Sequence, residues 1–166
     1  MTFETTRYAI DTGQGFDAFV AQYEKAVPAF DPAMVLGVEN WDQALANVKE
    51  AAPWGFLIYS RIDPSPVFRI SGVGKDDTRS IAYLMGNHTI AETMYRHNPN
   101  AILYAPLRVL VYENGEGNAV ISFDRPSNLF ASFGDADIEK VGHLLDTKVA
   151  DLLTHLGVPL PVGFSR

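Results

Sequence analysis

The stretch ILYAPLRVLVYENGEGNAVISFD, residues 102–124, decides the fold. Its first half is an apolar run typical of a strand, NGEGN at residues 114–118 is a strong hairpin signal, and residues 119–124 form the returning strand. Because Pro106 offers no N–H to a ladder, we expect the strand over residues 102–112 to lie at a sheet edge or to bulge at this point. The stretch therefore predicts two adjacent antiparallel strands.

A long helix is predicted after this hairpin. Asp135 is a suitable cap, and Gly157 and Pro159 end the pattern, while residues 129–134 before it are expected to be irregular. An apolar tail over residues 158–164 is expected to dock on the body of the domain or to contact another chain. The helix should bury one stripe at helical spacing, made of Ile138, Val141, Leu145, Val149, Leu152 and Leu156.

The remaining elements come from periodicity and breaker residues. Strands are predicted over residues 3–10, 55–62, 67–70 and 80–85, and helices over 16–27, 41–52 and 88–97. Gly13 and Gly15 should end the first strand, residues 71–77 should form a polar loop, and Trp41, Leu45 and Val48 should be the buried face of the second helix. The element order predicts an α+β fold in one domain over residues 1–166, with an antiparallel-rich sheet of four or five strands and helices on one face.

Composition limits the partners and the location. The 166 residues carry a net charge of −7 and no cysteine, and the basic residues are scattered singly. We therefore expect neither nucleic acid nor an anionic membrane as a partner, and neither disulfides nor thiolate catalysis. No apolar run is long enough to span a bilayer and the first residues are polar, which predicts a cytoplasmic protein.

The residues also resemble a known family. YLMGNHTIAETMYRHNPNAILYAPLRVLVYEN, residues 83–114, followed by AVISFDRPSNLFASFGD, residues 119–135, and the long helix, resembles the bacterial domain-of-unknown-function family 302. Residues 3–27 and 55–62 fit the same pattern, whereas residues 28–53 look like a helical insertion, and Gly86-Asn87-His88 stands where members commonly read Gly-Asn-Pro. The resemblance implies a β-α-β4-α fold of the TATA-box-binding-protein-like class, often as a homodimer, and no agreed activity.

The start of the short helix over residues 88–97 is the main candidate site. Asn87 is the expected cap, the first N–H groups of a helix attract acceptors, and Gly86 permits a close approach. We therefore expect any ligand to touch Asn87 and His88. The alternative is an exposed stripe on which Glu92 and Arg96 form an ion pair beside a solvated His88.

The long strand supplies second candidates. Tyr104 and Arg108 are predicted to share one of its faces and to act as further ligand contacts, although a surface arginine lying over aromatic rings is the alternative. Apolar residues on both faces of this strand, with helices on only one side of the sheet, predict an exposed patch and a homodimer.

Two classes of function remain open, because no nucleophile motif or spaced metal-ligand motif is present and the catalytic residues stay unknown. The first is a non-catalytic homodimeric module that binds a small molecule. The second is an enzyme acting on a small polar substrate with His88 as general acid or base, or a protein that binds haem or a metal through His88. The missing motifs favour the first class and leave the identity of any cofactor undecided.

Overall fold

A computed structural model describes residues 2–72 and 79–164, and the loop predicted over residues 71–77 lies largely outside them. The described residues contain a five-stranded sheet in the order β1-β5-β4-β3-β2, in which every neighbouring pair is antiparallel. The α+β fold with an antiparallel sheet is confirmed. The strands are β1 Arg7–Gly15, β2 Leu57–Ile62, β3 Ser80–Gly86, β4 Leu107–Glu113 and β5 Asn118–Asp124.

Helices connect and cover these strands. The order along the chain is strand, helix, four strands and a long helix, with shorter helices between them. No helix in the described ranges is both long and apolar enough to cross a membrane. The α-helices are α1 Phe16–Ala26, α2 Trp41–Ala51, α3 Ser65–Ile70, α4 His88–Tyr95, α5 Pro126–Ala131 and α6 Ala136–His155, and 3-10 helices span Pro32–Met34 and Pro99–Leu103.

The main core lies between one face of the sheet and α1, α4 and α6. Tyr83, Val109 and Phe123 are register neighbours on that face, and all three are buried with the apolar stripe of α6. The stripe is confirmed, with Val141 only partly buried, and the apolar tail docks on the same core through Val158 and Phe164. A 20-residue helix is thus held mainly by burial of its apolar face.

The opposite face of the sheet is open. Arg108 and Leu110 of β4 lie on it, next to Leu84 and Ala82 of β3. Ile62 of β2 is 54% exposed and Leu110 is 37% exposed, and a shallow groove of about 530 Å³ runs across the face. The sheet therefore has one covered face that carries the core and one face that is accessible.

The strand predicted over residues 102–112 is wrong in its first half and in its position. Asn98 accepts a hydrogen bond from the Asn100 N–H and starts a 3-10 helix, so β4 begins only at Leu107. β4 lies inside the sheet between β3 and β5, and not at an edge. Pro106 immediately precedes the ladder, where its missing N–H costs nothing. Tyr104 consequently lies in the connection, and does not share a strand face with Arg108.

Two further predictions near turns are wrong. β1 continues to Gly15 because its register shifts after Asp11, and Gly13 adopts a positive φ of 66° in the irregular part. Residues 67–70 are helical as the end of α3, which follows a turn closed by the Asp63 carboxylate and the Ser65 N–H and has Pro66 in its first turn, where proline is tolerated.

Two errors concern helices. The predicted irregular segment over residues 129–134 contains most of α5, which Pro126 opens and which buried Asp146 of α6 holds by accepting from Ser127. In α2 the buried residues are Ala44 and Val48, whereas Trp41 and Leu45 are exposed.

The segment predicted as an insertion, residues 28–53, covers the free edge of β2. Its backbone forms a parallel bridge between Ala29 and Ile58, and a small second cluster buries Val48, Ala52 and Leu57. A covered edge cannot pair with another chain, so the segment removes one route to aggregation. That it is an insertion stays a prediction.

Candidate functional site

Tyr59 is the extra residue of an irregularity in β2. Ile58 pairs with Met85 and Ser60 pairs with Leu84, so Tyr59 has no partner of its own in β3. Such bulges re-aim a side chain out of the alternation of the strand. Here the Tyr59 hydroxyl reaches the start of α4 and lies 3.0 Å from both the backbone nitrogen and Nδ1 of His88.

These two contacts link the Tyr59 hydroxyl to His88. The Tyr59 oxygen accepts the His88 backbone N–H, and a second hydrogen bond joins the hydroxyl to Nδ1; the hydroxyl donates in it when the imidazole proton is on Nε2 and accepts when that proton is on Nδ1. Partial burial lowers the pKa of the His88 imidazole below its usual 6.5, and burial raises the pKa of the Tyr59 hydroxyl. Both shifts favour the neutral form of each group near neutral pH. Within residues 2–72 and 79–164, Nε2 has no hydrogen-bond partner.

Aromatic rings fix this pair in place. The Phe30 ring centroid lies 4.7 Å from that of Tyr59 and 4.9 Å from that of His88. The Tyr59 and His88 rings meet edge to face at 4.6 Å. Phe30 comes from the covering segment over residues 28–53, so that segment contributes directly to the site.

A cavity of about 270 Å³ opens beside the pair. Three of its lining residues carry polar side chains, namely Tyr59, Asn87 and His88, and the other described walls are apolar. The arrangement can hold a small, mostly apolar molecule and, with the imidazole proton on Nε2, offer it the Nε2–H of His88 as a hydrogen-bond donor. The apolar walls are Ala91, Ile102, Ala105 and Pro106.

Asn87 caps α4 as predicted, but the helix start is less available than expected. The Asn87 side-chain oxygen accepts from the Thr89 N–H and hydroxyl, and its amide group donates to the Gly55 carbonyl. The His88 N–H is taken by Tyr59. The N–H groups of His88 and Thr89, which could otherwise attract an anion, thus have partners within the protein. The cavity therefore favours neutral ligands over anions.

Gly86 does permit a close approach, and the group that approaches is Pro106. A Cβ at Gly86 would lie 3.1 Å from the Pro106 Cβ, 3.2 Å from its Cα and 3.5 Å from Tyr59. The peptide bond between Ala105 and Pro106 is cis. Pro106 therefore forms a wall that is packed directly on the strand end preceding α4.

Tyr104 and Arg108 line a different cavity on the other side of this wall. It measures about 190 Å³ and is bordered by Pro106, Leu107 and Leu129 as well. The structure thus brings Asn87 and His88 together and Tyr104 and Arg108 together, and joins the two pairs only through Pro106.

The ion pair between Glu92 and Arg96, predicted as the alternative for α4, is also present. Arg96 donates to both carboxylate oxygens of Glu92 on the exposed side of the helix. This ion pair stabilises the helix by a few tenths of a kcal/mol. It does not involve His88, whose ring is engaged with Tyr59.

One cluster was not expected from the sequence. His97 lies 3.9 Å from a carboxylate oxygen of Asp135 and 3.8 Å from one of Asp137. The other Asp135 oxygen accepts the Asp137 and Ile138 N–H groups at the start of α6. Because the positive end of a helix dipole favours anions and disfavours a bound cation, the two carboxylates are explained by capping.

Sequence reasoning missed Tyr59 and Phe30. Both lie in segments that read as an ordinary strand and an inserted loop, and their roles depend on a register shift in β2. Aromatic residues flanking a strand start were a weak signal, since such residues are also common in cores.

Comparisons with known proteins agree with this fold. A family model described as "Domain of unknown function DUF302" matches residues 34–156. The crystal structure of an uncharacterized conserved protein DUF302 from Bacillus stearothermophilus is similar, with a TM-score of 0.66 over 90% of this chain and 97% of that chain. Its sequence identity is 15%, so this likeness shows the fold alone. No curated protein matches. Since the family model covers most of the chain, this protein belongs to the DUF302 family.

Proposed function

We propose that this protein is a non-catalytic module that binds a small neutral molecule in the cavity beside His88. One observation carries the proposal: Tyr59 engages Nδ1 of His88, and this exposed histidine lines a mostly apolar cavity with no partner for Nε2 among the described residues. We take the Tyr59 hydroxyl as the donor to Nδ1, which places the imidazole proton on Nε2 and leaves that N–H to the ligand. A neutral donor of this kind favours a ligand with one acceptor, such as a carbonyl oxygen.

The size of the cavity supports a compact ligand. At about 270 Å³ it lies just below the range of about 300–1,000 Å³ typical of small-molecule pockets. The apolar walls of Ile102 and Pro106 would bury the body of the molecule, and His88 would fix its orientation. Haem is too large for a cavity of this volume and would bind only if the cavity opened.

The proposed tautomer, with the imidazole proton on Nε2, disfavours the alternative functions. A metal, a haem iron or a general base would need a free electron pair on Nε2. Moving the proton to Nδ1 would free that pair, but the Tyr59 hydroxyl would then lose its acceptor. The remaining polar group of the described wall, the Asn87 amide, is already engaged with Gly55 and Thr89. This arrangement supports binding more than catalysis.

The test uses acetophenone as an aromatic carbonyl probe and ethylbenzene, which has a similar shape and no acceptor. Calorimetric titration of the wild-type protein should show saturable binding of acetophenone, roughly 2- to 10-fold tighter than ethylbenzene, because one neutral hydrogen bond is at stake. His88→Ala should abolish this preference, whereas His97→Ala, on the chain just after the same helix, should keep it. Equal binding of the two probes by wild type, or an unchanged preference in His88→Ala, would contradict the proposal.

We further propose that the protein forms a homodimer through the open face of the sheet. Ile62 and Leu110 are exposed there and line the groove of about 530 Å³, which supports an apolar contact with a second copy. In sedimentation velocity the wild type should be dimeric at high micromolar concentration. Leu110→Lys should be monomeric with an unchanged melting temperature, and a monomeric wild type would refute the dimer.

A further inference from the structure

Arg108 differs from the other arginines that the structure describes. Each of the others donates a hydrogen bond to a carboxylate or a backbone carbonyl, as Arg7 does to Asp124 and Arg79 to Glu113. In residues 2–72 and 79–164, the side chain of Arg108 has neither an ion pair nor a hydrogen bond. Arg108 thus lies exposed in the middle of a sheet face and is unpaired although potential partners are near. It is a cation that a ligand can bind.

The position of Arg108 gives such a ligand a place for an apolar body. Its side chain borders both the cavity of about 190 Å³ and the groove of about 530 Å³ on the open face. The smaller cavity is lined by Leu103, Tyr104, Pro106 and Leu129. A cation at the mouth of an apolar cavity matches a molecule with an anionic head and an apolar body.

The surrounding charges define the anion. Asp124 borders the same two cavities, but Arg7 binds both of its carboxylate oxygens, at 2.8 and 3.0 Å. One uncompensated positive charge is left at this point of a chain whose net charge is −7. A monoanion balances that charge, whereas a dianion would bring an excess negative charge close to Asp124.

We infer that the Arg108 cavity is a second binding site, for a monocarboxylate whose aromatic or short aliphatic body enters between Tyr104, Pro106 and Leu129. The guanidinium donates two parallel hydrogen bonds to the carboxylate, which is the geometry that favours arginine over lysine. This site goes beyond the function proposed for His88, because it uses a different cavity and a ligand of different charge.

The experiment titrates phenylacetate into the wild-type protein at pH 7.5, with phenylacetamide as the neutral control and phenyl phosphate as the dianion. We expect saturable binding of phenylacetate, at least roughly fivefold weaker binding of phenylacetamide, and a similar loss of phenylacetate affinity in Arg108→Ala. Arg108→Lys should recover only part of this loss. Arg96→Ala, which removes an exposed arginine already paired with Glu92, is the matched control and should bind like wild type.

Specific outcomes would overturn the inference. These are no saturable binding of phenylacetate at millimolar concentration, equal binding of phenylacetamide, unchanged affinity in Arg108→Ala, or tighter binding of phenyl phosphate. Acetophenone binding to Arg108→Ala separates this site from the His88 cavity, because it should be unchanged there whichever way the phenylacetate result falls. Since Arg108 borders the face proposed for self-association, the titrations use a protein concentration at which sedimentation shows a single species.

Discussion

The two cavities on either side of Pro106 are built from the same wall and offer opposite chemistry. On one side the His88 ring is partly buried, neutral and held by Tyr59, and the start of α4 is satisfied by Asn87. On the other side Arg108 is exposed, charged and unpaired within the described residues.

The difference shows that the ligand depends less on the type of residue than on whether its hydrogen-bond donors are free of partners within the protein. The helix start looked like an anion site, yet internal hydrogen bonds consume its N–H groups. An ordinary surface arginine was the alternative for Arg108, yet its guanidinium donors have no partner within the described residues. We therefore expect the first cavity to select neutral molecules and the second to select anions. Substitutions can show how far the His88 cavity and the Arg108 cavity bind independently.

The largest effect is expected from removing the support beneath both cavities. Leu145 of α6 is buried and lines, with Asn87, Pro106 and Leu107, a small cavity next to the shared wall. Leu145→Ala should lower the free energy of unfolding by about 2–5 kcal/mol, through lost burial and a residual void. Chemical denaturation measures this, with Leu144→Ala, at a half-exposed neighbour, as the control. A loss below about 0.5 kcal/mol would mean that α6 is not docked as described.

A smaller effect should come from the wall itself. In Gly86→Ala the new methyl group meets Pro106 at 3.1 Å, so the wall must shift. Overpacking destabilises by about 1–3 kcal/mol, and the lower entropy of the unfolded chain offsets about 0.4–1 kcal/mol of this. The net loss is therefore about 0–2.6 kcal/mol. Both acetophenone and phenylacetate should bind less well. Gly115→Ala, where a Cβ meets nothing within 4 Å, should leave both affinities unchanged.

Tyr59→Phe should sharpen the comparison, because it changes one cavity and spares the other. It removes the hydroxyl that accepts the His88 N–H and is hydrogen-bonded to Nδ1. The expected loss of stability is about 0.5–1.5 kcal/mol, since solvent partly replaces the lost bonds. Acetophenone should lose its advantage over ethylbenzene while phenylacetate binds as before. Parallel loss of both ligands would argue that the cavities are not independent.

The smallest effect concerns pH. Because partial burial lowers the pKa of folded His88 below 6.5, the unfolded chain binds more protons than the folded chain as the pH falls through that window. The His88 contribution to stability is therefore complete above pH 6.5 and is lost as the pH falls towards the folded pKa. His88→Gln should remove this part of the pH dependence in denaturation curves. An NMR titration that gives His88 a folded pKa at or above 6.5 would contradict the prediction.

The sequence predicted the larger elements well, for physical reasons. The apolar stripe of α6 and the NGEGN hairpin are local patterns whose consequences do not depend on distant residues. Asn87 and Asp135 were identified as caps because a cap is also a local interaction. Errors arose at Pro106 and at residues 67–70, where the choice between extended and helical backbone depended on a nearby turn or on sheet context.

The site was predicted only in part. Asn87 and His88 were found because they follow a strand end and start a helix. Tyr59 was missed because its role comes from an irregularity in the register of β2, which leaves no mark in the spacing of residues. Tyr104 and Arg108 were grouped on one strand face, whereas Tyr104 lies in the connection between the 3-10 helix and β4, Arg108 lies in β4, and both line one cavity.

The most direct test of two independent cavities is an amide NMR titration with both probes on the wild-type protein. Acetophenone should shift the amide signals of Ala91 and Ile102, and phenylacetate should shift those of Leu107, Arg108 and Leu129. With both ligands present, the two sets of shifts should add without competition. Displacement of one ligand by the other, or the same set of shifted amides for both, would contradict the account.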